Sequence, residues 1–148
     1  MTVIWKSYIW NQPRFAKPDE IASLEQSWGV ILPNDYKDVV SMHQGMSPHP
    51  DAFNIGRGED AIAALLIISP DEQQRAYSMK DTYAQVKPHV PDGIYPFAVT
   101  GSGDYICFDY RGSLHAPKVV FYFSEDAGEE AIHPLAESFS ALLTKLHD

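Results

Sequence analysis

Residues 100–113 read TGSGDYICFDYRGS, and the fold turns on whether Gly101 and Gly103 open a phosphate-binding loop or a turn between two strands. A phosphate loop presents backbone N–H groups at a helix start, and its strong nucleotide form adds Lys and then Ser or Thr after the second glycine. Here Asp104 and Tyr105 follow Gly103. The carboxylate repels phosphate, and YICFDY carries the aromatic and β-branched side chains of a strand. The stretch reads as a hairpin turn.

Working outward, IYPFAV (94–99) and DYICFDY (104–110) flank that turn, and KVVFYF (118–123) supplies a third apolar run. Together they predict an antiparallel meander. Period-two alternation puts Asp104, Ile106, Phe108 and Tyr110 on one face and Tyr105, Cys107 and Asp109 on the other. Asp104 and Asp109 therefore do not form a catalytic carboxylate pair. Cys107, the only cysteine, reads as a small buried hydrophobe between Ile106 and Phe108, and a single cysteine builds neither an internal disulfide nor a cysteine zinc cluster.

On the N-terminal side, KPDEIASLEQSWG (17–29) has the grammar of a helix. Pro18 suits a first helical position, Asp19 and Glu20 complement the dipole, Gly29 stops it, and Ile21, Leu24 and Trp28 share a face. PNDYKDVVSMHQG (33–45) predicts a second helix from Pro33 to Gly45, with Tyr36, Val39, Val40 and His43 at helical spacing. MSPHPDAFNIGRGED (46–60) is dense in Pro, Gly and Asp and reads as an exposed connection. AIAALLIIS (61–69) reads as a buried strand. Ser69 and Glu72 suggest a capping box for a helix from Pro70 to Val86, broken by Pro88, Pro91 and Gly93. Finally, HPLAESFSALLTKL (133–146) places Leu135, Phe139, Leu142, Leu143 and Leu146 on one stripe of a closing helix.

The resulting expectation is α+β: one domain over 1–148, its antiparallel sheet packed by N-terminal, middle and C-terminal helices. A chain of 148 residues with 45% hydrophobic and 21% charged residues suits a single core. No apolar run approaches the roughly 20 residues of a membrane span, and the N-terminus lacks a signal-peptide pattern, so a cytoplasmic protein without a membrane partner is expected. Twenty acids against eleven bases give a formal charge of -9. Such a balance opposes nucleic-acid binding and favours a basic partner.

The six histidines, His43, His49, His89, His115, His133 and His147, form no close metal-binding pair. No metal or cofactor is expected. His43 reads as a helix C-terminal residue and His133 as a helix-start neighbour. The densest charge is SEDAGEE (124–130), which holds Glu125, Asp126, Glu129 and Glu130 with no Lys or Arg between Val119 and Thr144. This acidic loop is the leading candidate contact, with Glu59 and Asp60 as a second point and Asp104 at the hairpin. Trp28 reads as internal; Trp5 and Trp10 suit either a core or an interface.

LPNDYKDVVSMHQG resembles a helix-start motif of the SUKH superfamily, the Smi/Knr-type domains, through Leu32, Pro33, Tyr36, Val40 and Gly45. YPFAVTGSGDYICFDY is similar to a second block of that family through Pro96, Phe97, Gly103, Asp104, Cys107 and Asp109. LAESFSALLTKL is similar to its closing helix through Ala136, Ser138, Phe139 and Leu142. The resemblance implies an α+β binding module. Many bacterial members are immunity proteins that bind and inactivate a cognate polymorphic toxin, often a nuclease with a basic surface, whereas fungal relatives act in cell-wall regulation. A non-catalytic immunity protein facing a basic toxin is the leading expectation. The alternatives are an intracellular scaffold or adaptor, and a small hydrolase or ligand-binding enzyme that joins Asp104 to a distant histidine.

Overall fold

The computed structural model describes residues 3–148. A two-stranded pair, β1 (Ile4–Ser7) with β2 (Met46–His49), stands beside a six-stranded antiparallel sheet in strict sequence order. Its strands are β3 (Ala52–Ile55), β4 (Gly58–Leu65), β5 (Ile94–Thr100), β6 (Tyr105–Asp109), β7 (Lys118–Tyr122) and β8 (Ile132–Ala136). Among the described residues four α-helices accompany them: α1 (Pro18–Trp28), α2 (Asn34–His43), α3 (Met79–Val86) and α4 (Phe139–Lys145). The α+β expectation holds. Among the described residues, no helix is long and apolar enough to cross a membrane.

The central hairpin forms as expected, between β5 and β6, with Gly103 at φ +89°, where a side chain would be strained. Alternation then sorts the sheet's two faces. Ile106, Phe108, Val119 and Phe121 enter the main core, whereas Cys107, Val120, Tyr122 and Ile132 join Val86 and Ala131 in a smaller cluster. Pro96 is tolerated inside β5 because the register with β6 shifts between Pro96 and Ala98, a bulge that relaxes the demand for a ladder donor.

Tyr36 of α2 is fully buried at the centre of the main core, edge-on to Phe97, Phe108 and Phe139 at centroid distances of 5.6, 5.1 and 5.4 Å. Its hydroxyl donates to Met79 Sδ at 3.3 Å, and burial pushes its pKa well up. Asp35, one residue earlier, accepts from the Ser140 N–H and hydroxyl at 2.9 and 2.8 Å, docking α4 on α2. Two sheet tyrosines hold the α1–α2 link: Tyr110 donates to the Ile31 carbonyl at 2.8 Å and Tyr95 to that of Trp28 at 3.4 Å. Trp28 itself is half-buried rather than internal, its ring tilted against those of Tyr83 and Tyr95 at 5.0 and 4.9 Å.

Four expectations need correction. The exposed connection over 46–60 is in fact β2, β3 and the start of β4, because β1 pairs with β2 and Ala52 to Ile55 pair with Gly58 to Ala61. Long-range pairing overrides the local turn chemistry there. The helix over Pro70–Val86 divides at Ser78: a 3-10 segment, Glu72–Tyr77, precedes α3. Asp71 and Ser78 cap the two pieces, while Ser69 donates instead to Glu20. The closing helix starts only at Phe139, capped by Ser138, and Leu135 lies in β8 with His133 and Pro134. Helix α2 begins at Asn34, with Pro33 in the capping position.

Gln44 explains how the N-terminal segment is secured. Its buried amide donates to the Arg14 carbonyl and the Ser69 hydroxyl and accepts from the Ile68 and Ser69 N–H groups, so a fully buried polar side chain is satisfied. Gly45 follows at φ +72°, and a Cβ there would lie 3.1 Å from both Ile67 and Trp10. Both tryptophans of that segment serve internal contacts: Trp10 donates to Asp71 at 2.9 Å, and Trp5 stacks on His43 at 5.5 Å.

Candidate functional site: an acid-rimmed cleft

The TGSG turn spends its donors inside the protein. Thr100 N–H and Gly103 N–H close the turn, Gly101 N–H reaches the Ala61 carbonyl at 2.9 Å, and Asp104 N–H reaches the Thr100 hydroxyl at 3.1 Å. A phosphate would have to displace these bonds. What the turn does present is Ser102, whose hydroxyl donates to Asp60 at 2.5 Å and ties the turn to β4.

That tie brings together residues far apart in sequence. Glu59 and Asp60 come from β4, Ser102 and Asp104 from the β5–β6 turn, and Ser124 and Glu125 from the loop after β7; all line one cleft of ≈ 500 Å³. Its apolar lining is Ile55, Phe121 and Phe123. The two phenylalanine rings lie 4.5 Å apart, and Phe53 sits behind Phe121 at 6.0 Å.

Local bonds set the carboxylates. Asp60 accepts from the Ala61 N–H at 2.7 Å as well as from Ser102. One oxygen of Asp104 accepts both the Ser124 N–H at 3.0 Å and its hydroxyl at 2.6 Å. Glu59 lies 3.7 Å from His147 Nε2, which also sits 3.3 Å from Asn54. His147 is held there by two backbone bonds with Ala52. Among the described residues, no Lys or Arg nitrogen comes within 4.0 Å of Glu59, Asp60, Asp104 or Glu125.

The remaining acids of SEDAGEE go elsewhere. Glu129 forms a short ion pair with Arg111, which also forks onto Asp109 through Nε at 3.0 Å and a terminal nitrogen at 2.9 Å. Burial opposes ionisation of Asp109, but the Arg111 hydrogen bonds and charge outweigh it and hold the carboxyl below its usual range. The hydrogen bonds that Arg111 donates to Asp109 in turn raise the Arg111 pKa. Asp126 and Glu130 are exposed and line no part of the cleft.

Among the described residues, Cys107 and Asp104 are not set in a nucleophilic arrangement. Cys107 is fully buried, and burial pushes its thiol pKa far up, which suppresses the thiolate. Asp104 takes its hydrogen bonds from Ser124, not from a histidine. His133 lies in β8 rather than at a helix start, edge-on to Phe123 at 4.7 Å, with Nε2 buried and unpaired. His43, the last residue of α2, packs on Trp5 and Met46, and its burial lowers its pKa. Among the described residues, no group of three or more His, Cys, Asp or Glu side chains is arranged to hold a metal ion.

A family model described as SMI1-KNR4 cell-wall matches residues 18–143, from the first residue of α1 into α4. The chain belongs to the SUKH_6 family. The match spans α1, α2, the six-stranded sheet and the whole cleft, leaving β1 and the final residues outside. No curated protein matches the chain. Sequence reasoning named four of the cleft's acids but not its apolar lining. Phe121 and Phe123 read only as strand hydrophobes, since nothing local marks the end of a strand as the wall of a cleft.

Proposed function

We propose that this member of the SUKH_6 family is a non-catalytic binding module, an immunity protein that inactivates a basic protein toxin by covering its working surface. The observation that carries the reading is the convergence of Glu59, Asp60, Asp104 and Glu125 on one cleft with an aromatic wall, with no Lys or Arg nitrogen among the described residues within 4.0 Å of them. Carboxylates collected in this way repel one another, and a basic surface relieves that repulsion on binding. The formal charge of -9 extends the same field and steers such a partner inward. Asp126 and Glu130 contribute to this steering as exposed charges rather than to the contact itself. The buried thiol and the serine-bonded Asp104 support a role without catalysis, in the cytoplasm where the toxin is met.

The test is co-expression with any basic toxin encoded next to the gene, read as growth. Rescue by the intact chain, lost when Glu59, Asp60 and Glu125 are together changed to Lys, is the expected result. No rescue, with capture only of the cell's own regulatory proteins, would favour the adaptor role instead.

A further inference from the structure

Resting on that reading, we propose that the cleft is a receptacle for an arginine side chain of the partner protein, with the guanidinium packed against Phe123 between the carboxylates of Asp104 and Glu125. A lysine ammonium is a compact, strongly hydrated charge, and the phenylalanine wall of the cleft gives nothing in exchange for the water it displaces. A guanidinium is planar and weakly hydrated, stacks on aromatic rings, and presents five donors in a fork that fits carboxylates. The cleft offers both halves of that match. Its lining is Ile55, Phe121 and the half-buried ring of Phe123, and its rim is acidic.

The rim is also set before a partner arrives. Ser124 fixes Asp104 through one carboxylate oxygen, Oδ1, and the other oxygen has no hydrogen-bond partner among the described residues. Asp60 is fixed through both oxygens, the Ala61 N–H donating to Oδ1 and the Ser102 hydroxyl to Oδ2. Acceptors held in place lose little side-chain entropy on binding. The chain already shows this chemistry once: Asp109, the last residue of β6, and Glu129, from the segment between β7 and β8, clamp the Arg111 guanidinium.

The experiment is an amide NMR titration of the full chain at low salt with two capped pentapeptides, Gly-Gly-Arg-Gly-Gly and Gly-Gly-Lys-Gly-Gly. The arginine peptide should move the amides of Gly58 to Asp60, Ser102 to Asp104 and Ser124 to Glu125, and bind about threefold to fivefold more tightly than the lysine peptide. Phe123→Leu should abolish that preference while leaving the weaker charge-driven binding of both peptides. Because Phe123 supports its neighbours, Glu125→Gln serves as the surface control and should weaken both peptides. Equal binding of the two peptides at the cleft would overturn the receptacle and leave the acidic-surface reading standing. Shifts away from the cleft, or none from either peptide, would overturn the receptacle, and retained growth rescue by the chain with Glu59, Asp60 and Glu125 changed to Lys would overturn the acidic surface as well.

Discussion

Two acidic regions lie at opposite ends of the same loop, and they behave as different materials. At one end Glu129 shares Arg111 with Asp109, so two carboxylates and a guanidinium form a network that the chain satisfies internally. At the other end Glu125 joins Glu59, Asp60 and Asp104 around a cleft whose carboxylates meet serine hydroxyls, backbone N–H groups and His147, and, among the described residues, no Lys or Arg nitrogen within 4.0 Å. The density of acid in sequence is the same along SEDAGEE. What separates the ends is pairing, which sets whether a carboxylate stabilises the fold or is left to attract something else.

The difference is open to attack from both sides, and the largest effect belongs to the paired end. Replacing Arg111 with Ala leaves Asp109, whose side chain is 14% exposed, without its cation. Stability should fall by about 1–3 kcal/mol in urea unfolding at neutral pH. The pH dependence has a definite sign. A carboxyl whose folded pKa lies below its unfolded value stabilises the protein above about pH 4 and loses that contribution as pH falls through the folded value. Asp109 is such a group. The cost of Arg111→Ala should therefore shrink as pH drops below about 4, and an unchanged cost in acid would show that the network does not act through charge.

Smaller effects should separate the ends by sign. Glu129→Gln should destabilise by about 0.2–1 kcal/mol, the range of an exposed ion pair. Glu59→Gln combined with Glu125→Gln removes like charge from the cleft and should leave stability unchanged or raise it by up to about 0.5 kcal/mol at low salt, with the gain lost at high salt. Thermal melts at two salt concentrations read both. Destabilisation by the double change at both salts would mean that the cleft acids are structural, which would erase the distinction between the ends. Last, Asp126→Asn and Glu130→Gln should each stay within about 0.5 kcal/mol of the parent.

How much of this is legible in sequence depends on how local the cause is. The hairpin at residues 100–104 was readable because a glycine turn between two apolar runs carries its own signal, and α1 because its proline, acids and terminal glycine mark its ends. Residues 46–60 misled because Pro48, Pro50 and Gly56 announce turns, while pairing with β1 and β4 decides the structure. Leu135 misled because it keeps helical spacing with Phe139 and yet its segment pairs with β7. The site divides in the same way. Acidic side chains are visible one by one, but no sequence feature announces that Ser102 ties the hairpin to Asp60, that Ser124 ties the loop to Asp104, or that Arg111 reaches Glu129.

The central claim of the proposal is that the cleft acids, which have no Lys or Arg nitrogen among the described residues within 4.0 Å, and not the acidic loop as a whole, meet a basic partner. The direct measurement is the association rate of the proposed basic toxin partner across a salt series for three chains: the parent, one with Glu59, Asp60 and Glu125 changed to Lys, and one with Asp126 and Glu130 changed to Lys. The cleft reversal should slow association at low salt by about tenfold or more and flatten its salt dependence, while the loop reversal should change it by no more than about threefold. Equal slowing by the two reversals, or a parent rate indifferent to salt, would contradict it.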